Sequence, residues 1–366
     1  MASVSPEEPI PAGPPVADAL AVDPVCGMPV ARERAIALEH EGRLAYFCSR
    51  GCRDEFLGLG PARDEARAEE LVRRVLAEPG LLRAVFQPIV SIETGAVVGY
   101  EALARFAAVP AQPPEAWFEL AARAGLTADL EARALERALD VVVRRPPPDG
   151  AFVSLNVSPL LLDDERIGAA LAAAPVPAAA SVAAPGRAAA LAAASVPAAA
   201  LGAGPTAAPA GPSRIVLELT ERDQVAGYDR LRAVLAPYRA RGIAIAVDDT
   251  GAGYASLRHL TELGPEFVKL DARLVTGLTG DRARQALVRA MTTFAAEIGS
   301  ILVAEGVERL ADLDLLLRAG GPVLVQGRAV AEAGEPWPVF GAEARERLRL
   351  GVASRHGRPV RSAESS

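Results

Sequence analysis

The chain has 366 residues, 51% hydrophobic but only 4% aromatic, with a formal net charge of −7 and a pI near 5.3. That length allows one large domain plus something smaller, and the acidic balance argues against a DNA- or RNA-polymer binder, which presents a basic face. The longest weakly polar stretch, residues 169–213, is Ala, Pro and Gly with Arg187 inside it. It makes a poor membrane span, so the expected setting is soluble and cytoplasmic.

In chain order, residues 1–21 are acidic and proline-rich with no basic leader, and read as a disordered lead rather than a signal peptide,. Residues 22–60 hold all three cysteines, Cys26, Cys48 and Cys52, spaced C-x21-C-x3-C. In a reducing compartment clustered thiols point to metal or redox chemistry rather than a disulfide. Residues 61–80 carry Leu71, Val72, Val75 and Leu76 at helical spacing among dense charge, which predicts a linking helix,.

Over residues 81–345 the pattern becomes eight short apolar runs: "AVFQPIV", "VVGYEAL", "AFVSLNV", "RIVLEL", "IAIAVDD", "FVKLD", "ILVAEG" and "VLVQG". Most alternate with amphipathic stretches, the outline of an α/β fold closed as a TIM-like (β/α)8 barrel. Only "SIETGA" separates the first two runs, too short for a helical crossover, so that pair is expected to be an antiparallel hairpin. Residues 169–213 break the rhythm as an Ala/Pro-rich insertion, and residues 346–366 read as a flexible tail,.

Polar residues collect where the runs end: Glu101, Asn156, Glu218, Asp248 with Asp249, Lys269 with Asp271, Glu305 and Gln326. In a parallel barrel those ends share one rim, where catalytic groups sit. Lys269 is the only lysine of the chain and Asn156 the only asparagine, so a composition that favours arginine keeps each where a substitute would fail. A capping role suits any one of these residues but does not call for a unique Lys and a unique Asn together. Glu101, Asn156, Glu218, Asp248 and Asp249 are hard oxygen donors suited to Mg²⁺ or Mn²⁺. The adjacent aspartates can serve two ions, an arrangement used for displacement at phosphorus.

The strings "QPIVSIETGAVVGYEALAR", "LNVSP", "LELTE", "DDTGAGYASL", "VKLD", "AEGVE" and "QG", in this order, resemble the EAL domain family of bacterial phosphodiesterases, which hydrolyse cyclic di-GMP to linear pGpG. The resemblance implies a barrel with one antiparallel strand, working as a homodimer through that domain. It implies Glu101, Asn156, Glu218, Asp248 and Asp249 as ligands of two Mg²⁺ or Mn²⁺ ions. Lys269 would contact the catalytic water, Glu305 would be the general base, and Glu221 would steady the loop after the fifth strand. Gln87, Arg105, Asp271 and Gln326 are the expected substrate contacts. One departure stands out: "DDTGAG" replaces the family's usual "DDFGTG", changing positions Thr250 and Ala252. A receptor that binds cyclic di-GMP and signals through a protein partner is therefore the alternative to an enzyme.

"DPVCGM", followed by "YFCS", a further Cys and Phe56, resembles small YHS/TRASH-like metal-handling modules of ββα type. Three thiolates favour Cu(I) or Zn²⁺, with Asp23 or His40 as candidate fourth ligands and metal occupancy as a possible regulator of the barrel. Buried structural cysteines are the competing reading.

Overall fold

The structure, a computed structural model, describes residues 20–40, 42–57, 61–148, 151–175, 215–220, 227–250, 254–319, 324–339 and 341–355. Most of the expected lead, most of the 169–213 insertion, Glu221, and Gly251 to Gly253 lie outside the described residues. The chain divides into two compact units, one holding the cysteine segment and the other the apolar-run segment. Among the described residues no helix is long and apolar enough to cross a membrane.

In the cysteine unit, β1 (Leu20–Val22) pairs antiparallel with β2 (Pro29–Ala31), and β3 (Ile36–His40) forms a hairpin with β4 (Arg43–Phe47). Helix α1 (Arg50–Phe56) follows, its N-terminus capped by Ser49, whose Oγ accepts the Cys52 N–H at 3.2 Å,. Phe47 is fully buried and packs on Phe56 with ring centres 5.2 Å apart. Helix α2 (Pro61–Ala77) occupies the predicted linking segment, with i,i+4 pairs such as Arg73–Glu69 at 2.8 Å along it,.

The other unit is a closed eight-stranded barrel, and the eight predicted runs are its strands. They are β5 (Leu82–Ser91), β6 (Val97–Phe106), β7 (Phe152–Val157), β8 (Ile215–Leu219), β9 (Ala244–Thr250), β10 (Phe267–Leu270), β11 (Ile301–Ala304) and β12 (Leu324–Val325), closed by β12 against β5. Strand β5 runs antiparallel to both neighbours while every other pair is parallel, as the short link between the first two runs predicts. Around it lie α3 (Pro114–Arg123), α4 (Thr127–Arg144), α5 (Glu165–Ala172), α6 (Tyr228–Ala240), α7 (Tyr254–Leu263), α8 (Ala272–Val275), α9 (Arg282–Glu297), α10 (Leu310–Ala319) and α11 (Ala342–Arg355).

Two expected boundaries move. The insertion was placed from residue 169, but α5 runs on to Ala172, because Ile167, Ala170, Leu171 and Ala174 are buried. The tail was placed from residue 346, yet α11 continues to Arg355, with Ala344, Leu348 and Val352 buried at a spacing of four,.

Strand alternation explains how the barrel presents its polar groups. A small apolar cluster takes Ile89, Val98, Phe152, Val216, Ala246, Phe267, Val303 and Leu324 from all eight strands, so it fills the barrel interior,. Side chains two apart share a strand face. Stepping two residues onward from the interior cluster gives Glu218, Asp248, Lys269, Glu305 and Gln326; stepping back from Ile89 on the reversed β5 gives Gln87. The polar layer is thus a lid of inward side chains directly above a dry core.

Candidate active site

The sole lysine is the hub of that layer. Lys269 is 2% exposed, and its Nζ lies 2.5 Å from Glu218, 2.6 Å from Glu305, 3.4 Å from Asp248 and 3.6 Å from Glu101. A compact ammonium can face four carboxylates at once, whereas a planar guanidinium fork cannot. Glu101 is fixed from the other side: its two oxygens accept the Asn156 amide at 3.0 Å and the Gln326 amide at 2.6 Å. Gln326 also donates to Gln87 at 3.1 Å, and Gln87 in turn donates to the Ala331 carbonyl at 3.1 Å.

Adjacent residues in a regular strand point to opposite faces, so Asp248 and Asp249 need a device to share one. The pairing of β9 with β10 slips by one residue between Val268 and Leu270, and Asp249 sits at φ +52°. A bulge with a left-handed Asp re-aims the second carboxylate, and Asp248, Asp249 and Glu305 all bring a carboxylate oxygen within 4.8 Å of one another. Two glycines let the loops come this close. Gly306 has φ +62° and a Cβ there would lie 2.4 Å from Ala272 Cβ; at Gly327, φ +154°, it would lie 2.3 Å from the Val307 nitrogen. The "AEG" and "QG" strings therefore pair a polar side chain with the backbone shape that admits it.

Electrostatically the layer is overloaded. Burial alone would lower the Lys269 pKa, but Asp248, Glu101, Glu218 and Glu305 hold it well above the ordinary lysine value,. Burial would raise Glu101, yet Lys269, Asn156 and Gln326 hold it below the usual carboxylate range. Burial, then the Glu101 charge, pushes Glu218 up to about 8 despite the ammonium beside it. Glu305 is likewise raised, by burial first, with Lys269 offsetting part. Five carboxylates with one ammonium are short of positive charge, and every free donor is a hard oxygen. That donor set fits divalent Mg²⁺ or Mn²⁺ and offers nothing to a soft ion.

The profile of the family described as the EAL domain matches residues 69–184 and 187–333, most of the chain. This chain belongs to the EAL domain family. Over 238 residues it is 26% identical to the cyclic di-GMP phosphodiesterase PdeL of Escherichia coli strain K12, spanning 64% of this chain and 58% of PdeL. The EAL domain of Xanthomonas citri FimX, solved with c-diGMP, superposes with a TM-score of 0.57 at 19% identity over 76% of this chain and 98% of that one. Klebsiella pneumoniae BlrP1, solved as a manganese/cy-diGMP complex, gives a TM-score of 0.52 at 24% identity, covering 70% of this chain and 57% of that one. These two likenesses are of fold. Of their own lengths, four curated relatives are spanned by this chain to between 16% and 58%.

Within the EAL barrel, the structure brings together Glu101, Asn156, Glu218, Asp248, Asp249, Lys269, Glu305, Gln326 and Gln87 from the expected set. Arg105 and Asp271 are held by partners close to them in the chain. The Arg105 guanidinium folds back to donate to the Ala104 carbonyl at 2.9 Å. Asp271 caps α8, taking the Arg273 N–H at 2.6 Å and both edges of the Arg273 guanidinium. The Ala331 carbonyl that seats Gln87 escaped the sequence reading, since a backbone partner 244 residues away leaves no pattern.

The cysteine unit carries a second cluster. Cys48 Sγ lies 3.6 Å from both Cys26 Sγ and Cys52 Sγ, and all three thiols are free. Three sulfurs on a tetrahedral zinc would stand roughly 3.8 Å apart, from a Zn–S bond of about 2.3 Å. Asp23, fully buried, completes the group within 4.8 Å. Its oxygens, however, already accept the N–H groups of Val25 (2.9 Å), Cys26 (3.4 Å) and Cys48 (2.8 Å). Asp23 therefore ties the first cysteine loop to the end of β4. The Asp23 carboxylate, with the neighbouring sulfurs, pushes the Cys48 thiol up to about 12,. His40 is not in the cluster; its ring packs edge-on to Phe56 at 5.5 Å.

Proposed function

We propose that the barrel hydrolyses cyclic di-GMP to linear pGpG. The observation that supports this reading is the polar layer itself: five carboxylates, one buried lysine and Asn156 gathered at one end of the barrel. Glu101, Asn156, Glu218, Asp248 and Asp249 would hold two Mg²⁺ or Mn²⁺ ions, which supply Lewis acidity toward water and the phosphoryl oxygens. Glu305 accepts the proton of the attacking water as its oxygen bonds to phosphorus. The bond from phosphorus to one 3′ oxygen breaks, and that oxygen leaves with a proton as the free 3′ hydroxyl of pGpG. Lys269 orients the water and offsets charge gathering on the phosphate, in a site with little bulk solvent to screen it. Glu221 would steady the loop beyond β9, while Gln87 and Gln326 would shape the wall nearest the substrate. Arg105 and Asp271 would serve the dinucleotide only by leaving their present partners.

The test is pGpG formation by the purified protein with Mn²⁺, beside Glu305→Ala and Glu101→Ala. Loss of product in both variants supports the reading. Unchanged turnover in either removes that residue's role, and tight binding of cyclic di-GMP without product by wild type makes the chain a receptor.

We further propose that the barrel acts as a cytoplasmic homodimer and that Cu(I) or Zn²⁺ at Cys26, Cys48 and Cys52 tunes its rate. Sedimentation measures the first. For the second, equal rates in wild type and a triple Cys→Ser variant, with and without copper or zinc, would remove the idea.

A further inference from the structure

A second charged feature lies on the outer wall of the barrel, apart from the polar layer. There α4 faces the first residues of β5 across an open pocket of about 270 Å³. Leu82, Ala84 and Val141 line it with apolar side chains, and Arg83, Arg137 and Arg144 are its basic lining residues. Arg137, Val141 and Arg144 follow one another at helical spacing, so they form one stripe of α4,.

The acids at the pocket do not neutralise it. Arg83 pairs with Glu335 at 2.7 Å and Arg144 with Asp140 at 3.1 Å, and all four side chains are more than half exposed. Exposed pairs of this kind hold weakly and can be exchanged for a ligand at little cost. Arg137 enters no ion pair among the described residues; its Nε is enclosed and without a hydrogen-bond partner, so a ligand would meet the guanidinium by its outer nitrogens. The groups that match a guanidinium edge are phosphates and carboxylates.

We infer that this pocket is a binding site for a small phosphomonoester, its phosphate on Arg137 with Arg83 and Arg144 flanking, its apolar body on Leu82, Ala84 and Val141. The inference is independent of the reading of the barrel rim.

Calorimetric titration of the metal-free protein with inorganic phosphate and with phenyl phosphate tests it. Both should bind saturably, phenyl phosphate more tightly because of the apolar lining. Arg137→Met should weaken both by about tenfold or more, the worth of one charge-assisted hydrogen bond, while cyclic di-GMP turnover stays at the wild-type level. Should the Met variant not fold, Arg137→Lys, which keeps the charge and loses the fork, should still bind severalfold more weakly. No saturable binding by wild type, or equal affinity in the Arg137 variant that folds, overturns the inference.

Discussion

The polar layer of the barrel and the cysteine cluster are built in opposite ways. The barrel layer centres on the buried Glu101, Glu218, Lys269 and Gln326, offers oxygen ligands, and is drawn from strands spread between Gln87 and Gln326. The cysteine cluster is made of sulfur and comes from one short segment, with Cys26 and Cys48 exposed. The barrel layer has its negative charge partly offset by Lys269, which stands where four of the carboxylates converge. The cysteine cluster has no cation of its own and is shaped instead by Asp23 through backbone N–H groups. One site therefore keeps its geometry through the whole fold, and the other through a single buried carboxylate.

That contrast breaks first at Lys269. Replacing it with Met leaves four carboxylates, Glu101 and Glu218 buried and Asp248 and Glu305 half-buried, facing one another without their ammonium. Removing one partner of a buried pair costs about 3–5 kcal/mol, so in metal-free protein the thermal midpoint should fall by on the order of 10 °C. Added Mn²⁺ should recover part of that loss without restoring turnover; a midpoint unchanged from wild type would mean the lysine is not the hub. Gly327→Ala comes next. A methyl group 2.3 Å from the Val307 nitrogen forces the loop after β12 to move, which should cost about 2–3 kcal/mol in a urea titration. Retained stability there would show that the close approach is dispensable.

On the other side, Asp23→Ala should lower zinc affinity of the cysteine cluster by about 10- to 100-fold, the usual effect of losing a group that orients metal ligands. Competition with a chromogenic chelator reads this out, and unaltered affinity would leave Asp23 without its positioning role. The smallest expected effect lies at Asp312, fully buried, which accepts the N–H groups of Gly277 and Thr279 and pairs with Arg309 at 3.0 Å. Burial would raise its pKa, but Arg309 and those N–H groups hold it below the ordinary carboxylate value. A depressed folded pKa stabilises fully above the unfolded value, about 3.9, and the contribution is lost as pH falls below it. Asp312→Asn should thus be less stable than wild type at pH 7, with the gap narrowing as pH falls below about 3.9, as urea midpoints measured along that series would show.

Much of the barrel was legible because its signals are local. Eight apolar runs, a six-residue link and polar residues at the ends of seven of the runs are all visible in sequence, and Lys269 stood out by being alone. What escaped depended on partners far along the chain or on backbone shape. Nothing in "DDTGAG" announces the bulge that turns Asp249 toward Asp248. Arg105 and Asp271 are polar residues in the right strings, but nearby partners hold them: Ala104 for the first and Arg273 for the second. The helix at residues 342–355 hid because its charged residues mask an apolar stripe at Ala344, Leu348 and Val352. Asp23 was weighed as a ligand because of its type; that its oxygens also accept backbone N–H groups left no pattern in the sequence.

The measurement that tests the central claim most directly is cyclic di-GMP turnover with Mn²⁺ by wild type and by Lys269→Ala, followed as pGpG by chromatography. Product from wild type and none from the variant is the predicted result. Equal product from both would contradict it, because the lysine that gathers four carboxylates would then have no part in the reaction.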